Sequence, residues 1–170
     1  FDWLLNTLDT VRRADEKAII FIEARDIQRQ LKIYLDEHYG LDITIINGET
    51  STAAKSESSR QKLIDAFQAR HGFNVIILSP LAAGVGLNIQ AANHVIHYMR
   101  HWNPAREDQA TDRAYRIGQS RIVTVYTPIV CGPDWPSFDE RLDGLLEHKR
   151  QLAEDMYNGA DDVGPGDMET

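Results

Sequence analysis

Apolar positions follow two alternating rhythms along this chain. Residues 2–15 place Leu4, Leu5, Leu8 and Val11 at helical spacing, whereas Lys17 to Glu23 (KAIIFIE) is a short apolar run rich in Ile, which predicts a buried strand. A helix is predicted over 26–39, with Ile27, Leu31, Tyr34, Leu35 and His38 on its inner side and Gly40 ending it. Leu41 to Ile46 is the next strand, closed by the turn pair Asn47-Gly48. The small, polar stretch 49–59 predicts a mobile loop, residues 60–70 a helix with Leu63, Ile64 and Phe67 inward, and Asn74 to Ser79 a third strand. There follow a glycine-containing loop (PLAAGVGLN), a strand from Asn93 to Tyr98, a helix opened by Asn103-Pro104 and closed by Gly118, and a strand from Arg121 to Val130. A last helix over 137–157 sets Phe138, Leu142, Leu145, Leu146 and Met156 on one stripe.

Strands that alternate with helices, each strand a continuous apolar run, predict an α/β fold: a parallel sheet covered by helices on both faces. Ligands of such sheets bind beyond the carboxyl ends of the strands, which directs attention to the loop after Ser79 and the helix after Asn103. The expected organisation is a leading helix over 1–16, the sheet domain over 17–131, a packed C-terminal helix over 132–157 and a disordered tail over 158–170. A length of 170 residues suits one domain. No apolar run reaches membrane-span length and no signal-peptide pattern opens the chain, so a cytoplasmic, membrane-free protein is expected. The single Cys131 excludes an internal disulfide framework. Phe1 is not an initiator Met, and a piece of a longer protein is expected.

Charge sharpens this picture by its position. The formal net charge is -8, yet residues 1–131 carry 15 basic and 15 acidic side chains; the 3 basic and 11 acidic residues of 132–170 supply the imbalance. The body can therefore carry a nucleic-acid groove, although no broad basic stripe predicts strong binding by the isolated chain, which is expected to be monomeric.

One string concentrates the chemistry: Gln109-Ala110-Thr111-Asp112-Arg113-Ala114-Tyr115-Arg116-Ile117-Gly118-Gln119. On a continuous helix Gln109, Arg113 and Arg116 stand at i, i+4 and i+7 and share a face. Two guanidinium forks three residues apart can converge on one phosphate. The residues by themselves allow a second reading, a solvated helix face salt-bridged by Glu107, Asp108 and Asp112.

QATDRAYRIGQ, preceded by Trp102-Asn103-Pro104, resembles motif six of Swi/Snf-type ATPases in helicase superfamily two. KAIIFIE resembles motif four, Asn47-Gly48-Glu49-Thr50 with Arg60 and Phe67 the following segment, and residues 75–89 (VIILSPLAAGVGLNI) motif five, in a style resembling bacterial members. The resemblance runs from about Lys17 to Met156 and implies the C-terminal, RecA-like lobe of a double-stranded-DNA translocase. It implies Arg116 as the arginine finger and Arg113 as its companion on the nucleotide phosphates, with Gly84, Gly86 and Gln109 beside the nucleotide. It further implies Ser79 and Asn88 as links between DNA and the ATP site, Gly48 and Arg60 near the DNA backbone, and Trp102 beside the groove. Arg100, where relatives carry an acidic stretch, would favour phosphate contact. ATP and Mg2+ would be held mainly by an N-terminal lobe of the same protein, because no G-x-x-x-x-G-K-[ST] occurs here, and the chain alone is expected to be inactive.

The chain departs from the family at Pro80, where a hydroxyl and an N–H are lost, and at Ala83, where a glycine is usual. These departures motivate an alternative: a degenerate lobe that binds DNA or a protein without catalysis. Asp36-Glu37-His38-Tyr39 imitates a magnesium-binding box but ends an amphipathic helix. His94 and His97, at odd spacing on a strand, point to opposite faces, and no metal site is expected.

Overall fold

A computed structural model describes residues 1–50, 59–83, 87–115 and 119–161. Of the sequence expectations, most of the loop over 49–59, Gly84, Gly86, Arg116, Gly118 and the tail from 162 lie outside the described residues.

Five strands build one sheet: β1 (Lys17–Phe21), β2 (Thr44–Ile46), β3 (Asn74–Leu78), β4 (His94–His97) and β5 (Thr124–Tyr126). Their order is β2-β3-β1-β4-β5, and every neighbouring pair is parallel. The register sets Ile19 beside Ile76 and Val95, and Ile20 beside Ile77 and Ile96. Because side chains alternate across a sheet, this single register produces two cores. On one face Ile19, Phe21, Ile76, Leu78 and Val95 pack under α3 (Arg60–Ala69) and α5 (Pro104–Thr111). On the other Ala18, Ile20, Val75, Ile77 and Ile96 pack under α1 (Asp2–Arg13) and α2 (Arg25–Tyr39). All five residues of β1 and of β3 are buried, the polar Lys17 and Asn74 at their first positions together with the apolar runs that follow.

The sheet elements are shorter than their apolar runs. β2 begins at Thr44 because α2 takes up the backbone of Ile43: its N–H donates to Asp36 Oδ1 at 2.6 Å and its carbonyl accepts from Lys32 Nζ at 2.5 Å. Gly40 ends α2 at φ 66°, in the left-handed region, as expected. The buried side of α2 is Gln28, Leu31, Leu35 and Tyr39; Ile27, Tyr34 and His38 are exposed, which corrects the expected stripe by about one position. A buried glutamine can hold that place because its amide is used on both sides. Gln28 Nε2 donates to the Ile22 carbonyl at 2.6 Å, and its Oε1 accepts from Asn47 Nδ2 at 2.9 Å. Ser59 caps α3, accepting from the Lys62 N–H at 3.4 Å. The expected loop after Ser79 begins instead as one helical turn, α4 (Pro80–Ala83).

The chain divides into two compact units, residues 1–99 with 105–128, and residues 100–104 with 129–170. The second contains α6 (Phe138–Asp161). Of the stripe expected on this helix, Leu142 and Leu146 are buried, whereas Phe138, Leu145 and Met156 are exposed. At its start, Glu140 accepts backbone N–H bonds from Ser137 and Gly132, and these hold its carboxyl below the ordinary carboxylate range.

Candidate functional site

The carboxyl ends of β1, β2, β3 and β4 meet at one edge of the first unit. Ile22 N–H donates to the Leu78 carbonyl, Ser79 N–H to Ile46 and Tyr98 N–H to Phe21, so the ladder continues one residue past each strand before the chain turns away. Chain order reverses across β1, which lies between β3 and β4, and a crevice at such a switch point is where open α/β sheets take ligands. Ser79 is buried at this edge and immediately precedes Pro80, the first residue of α4. Proline suits a first helical position because the N–H it lacks has no helical partner there. The same absence leaves no backbone donor at Pro80 for an anion. Asn88 lies partly buried beyond α4, and its Oδ1 is enclosed without a hydrogen-bond partner.

The motif string is reshaped by its backbone. α5 ends at Thr111, not at Gly118. Beyond Thr111 the bonding is mixed: Arg113 N–H reaches the Ala110 carbonyl at 3.1 Å and Ala114 N–H reaches Thr111 at 3.0 Å, three residues back, whereas Tyr115 N–H reaches Thr111 at 3.2 Å, four back. The Arg113 carbonyl in turn accepts from Ile89 N–H at 2.9 Å, tying the segment after α4 to the end of α5. Gln109 and Arg113 therefore do not share one helical face. Gln109 is exposed and Arg113 is only 5% exposed, which corrects the i, i+4 expectation and the reading of a solvated face. A second tie comes from the sheet. His97 Nε2 lies 2.8 Å from Thr111 Oγ1, and the His97 ring stacks on Phe21 with centroids 5.3 Å apart. Strand β4 thus holds the residue two before Arg113. This tie was not visible in the sequence, where His97 is one histidine of a non-metal set.

The turn after β2 is densely bonded. Thr50 N–H donates to the Asn47 carbonyl at 3.1 Å, Glu49 N–H to Asn47 Oδ1 at 3.0 Å, and Asn47 N–H to Thr50 Oγ1 at 3.1 Å. Arg60, expected near a DNA backbone, donates from Nε to the Thr50 carbonyl at 3.3 Å and from Nη2 to the Asn47 carbonyl at 3.2 Å. It braces the turn that presents Gly48. A Cβ on Gly48 would stand 3.5 Å from Arg25 Nη2, so the backbone passes close under that guanidinium.

In the second unit Arg100 forms an ion pair with Asp143, and its side chain is 5% exposed. This corrects the expectation of a basic group open to phosphate. Trp102 is 57% exposed, stands edge-on to Phe138 at 5.7 Å, and its carbonyl accepts from Lys149 Nζ at 3.1 Å.

The opposite, amino edge of the sheet carries a second polar cluster. His94 Nε2 lies 2.5 Å from Glu16 Oε2 and Nδ1 lies 3.1 Å from Tyr126 Oη. Burial disfavours the charged Glu16, but hydrogen bonds to Asn93 and His94 and the charges of His94 and Arg121 outweigh it and lower its pKa. Burial, then the Glu16 charge, push the Tyr126 hydroxyl up. His94 and His97 do face opposite cores, and no metal-ligand cluster occurs among the described residues. Nor is any helix among them long and apolar enough to cross a membrane.

Residues 1–118 match the family model of the helicase conserved C-terminal domain. Zorya protein ZorD of Escherichia coli O139:H28 (strain E24377A / ETEC) is 52% identical over 169 residues, 99% of this chain and 16% of that protein. YwqA of Bacillus subtilis (strain 168) is 41% identical over 149 residues, 88% of this chain and 15% of that protein. The chain thus spans less than a fifth of the length of these curated relatives. Among solved structures, the C-terminal part of the Fun30 ATPase domain superposes with a TM-score of 0.74 at 32% identity, over 85% of this chain and 44% of that one. The Sulfolobus solfataricus SWI2/SNF2 ATPase core in complex with dsDNA superposes with a TM-score of 0.68 at 33% identity, over 88% of this chain and 29% of that one.

Proposed function

The chain belongs to the helicase conserved C-terminal domain family, with Swi/Snf-type ATPases among its relatives, and from that premise we propose that it is the second motor lobe of an ATP-dependent translocase on double-stranded DNA. The observation that carries this reading is the anchoring of the arginine segment at the carboxyl edge. Thr111 is tied to β4 through His97, and the Arg113 carbonyl is tied to the segment after α4. The segment is held from two sides, which suits a group that must meet a phosphate in one geometry.

ATP with Mg2+ would supply the phosphoryl group, and a preceding lobe would hold most of it. The residues of this chain would meet only its far side. Arg116 would bring positive charge to the γ-phosphate, with Gly84, Gly86 and Gln109 close to the nucleotide, whereas Arg113, buried in this lobe, would join it only by turning its side chain outward. Ser79 and Asn88 would connect this edge to the DNA strand, and the Gly48 turn braced by Arg60 would meet the backbone. Trp102 would serve as an aromatic beside the groove, whereas Arg100, paired with Asp143, would serve the second unit's own structure. A cytoplasmic location follows from the same reading.

The test is steady-state ATPase of the full-length protein with and without duplex DNA. Duplex should stimulate turnover, and Arg116→Ala should lower it by about a thousandfold or more, the range of an arginine finger. Normal turnover in Arg116→Ala would remove the finger assignment. Duplex binding without any ATP hydrolysis would favour a non-catalytic lobe, the reading that the proline at 80 supports by removing a donor.

A further inference from the structure

Arg25 and Arg29 stand one helical turn apart at the start of α2, and both reach the turn after β2. Arg25 Nη1 is 2.6 Å from Glu49 Oε1, and Arg29 Nη2 is 3.6 Å from Glu49 Oε2. Glu49 thus spreads its two oxygens over two guanidiniums. All three side chains are open to water, at 52%, 60% and 55% exposure. Pairs so exposed add little to stability, so packing does not require them.

Fixed and exchangeable parts are clearly separated here. The backbone of Glu49 is locked by its own N–H on Asn47 Oδ1 and by the neighbouring Thr50 bonds. Arg60 spends its donors on the carbonyls of that turn. The Glu49 carboxylate, by contrast, is held at this surface by its ion pairs with the two arginines, and Arg29 keeps a further contact to Asp26 at 3.5 Å. The whole group lies at the carboxyl edge, directly over Gly48, whose missing side chain leaves the backbone open beneath Arg25.

We propose that Glu49 is a built-in stand-in for a nucleic-acid phosphate, occupying the forks of Arg25 and Arg29 until the phosphodiester backbone of duplex DNA displaces it. The proposal rests on the reading that DNA runs along this edge. Guanidinium matches carboxylate and phosphate oxygens with the same planar geometry, so the exchange keeps both arginines paired in either state. Glu49 then weakens binding to any polyanion and makes engagement depend on the further interactions that a correctly placed duplex offers.

The experiment is duplex-DNA binding by the full-length protein, followed by fluorescence anisotropy over a salt series. Glu49→Gln should bind more tightly than wild type at low salt. Its advantage over wild type should shrink as salt rises, because salt weakens the exposed Glu49 ion pairs that compete for the two arginines. The Arg25→Ala variant should bind more weakly, and Arg25→Ala with Glu49→Gln should lose most of the tightening seen in Glu49→Gln. An unchanged melting temperature of Glu49→Gln will show that the turn is intact. Equal or weaker binding by Glu49→Gln, with wild type binding normally, overturns the stand-in and makes Glu49 a positioning residue for Arg25. Absence of duplex binding by wild type across the series overturns the underlying reading, and the proposal with it.

Discussion

Thr111→Val probes the link between the sheet and the arginine segment with little change of shape. The substitution replaces Oγ1 by a methyl group and removes the 2.8 Å contact to His97 Nε2. His97 is 2% exposed, so water cannot freely replace the lost partner. Loss of a hydrogen bond that leaves a buried polar atom wanting costs about 1–3 kcal/mol. For a chain of this size, about 2–4 °C of melting temperature goes with each kcal/mol, so a fall of about 2–12 °C is expected. Thermal unfolding of the chain measures this, with Thr111→Ser as the conservative control that restores the hydroxyl. Turnover of the full-length protein provides the second reading. Thr111 is two residues before Arg113 and its helix ends there, so loosening it should lower kcat more than it raises KM for ATP, with Thr111→Ser restoring most of the loss. A Thr111→Val chain that melts within a degree of wild type would refute the reasoning, because the contact would then be contributing nothing. A destabilised chain with unchanged kcat would confine the tie to folding and detach it from the motor.

Two further outcomes follow from the cores and edges. Gln28→Leu should destabilise the chain by about 2 kcal/mol, since the Ile22 carbonyl is left buried without its donor and the Asn47 amide loses its acceptor. Urea midpoints of Gln28→Leu, Asn47→Ala and the double variant will show non-additivity; full additivity would mean that the two side chains act separately. The pH dependence of stability should contain a Glu16 component. Its folded pKa is depressed below the ordinary 4.5, so between those values the unfolded chain binds more protons and stability rises with pH. The contribution is present above pH 4.5 and is lost as pH falls through the folded pKa. In Glu16→Gln the urea midpoint should fall less steeply on acidification below that point, and an identical slope would exclude Glu16 as its source.

The amino-acid sequence by itself determined the parallel α/β class and the order of the five strands, but not the helical turn α4 or the buried side of α2. Apolar runs such as Ala18–Ile22 and Val75–Leu78 are satisfied by burial on both faces, and alternation along the strand then distributes Ile19 and Ile20 to opposite cores. The arginine string was legible as a family motif, because residue type and order suffice to recognise it. The tertiary structure decided where each polar side chain spends its hydrogen bonds. Periodicity placed Ile27 and His38 on the inner face of α2, but a buried carbonyl at Ile22 and an amide at Asn47 called for a polar partner and turned Gln28 inward. Periodicity likewise carried one helix through Arg113, but the helix stops at Thr111, and the Arg113 carbonyl accepts from the Ile89 N–H, 24 residues earlier in the chain. His97, Arg60 and Glu49 acquired their partners across 14, 13 and 24 residues of chain. Such pairings leave no period in the sequence, because they depend on which strand lies beside which, and only the closed sheet settles that.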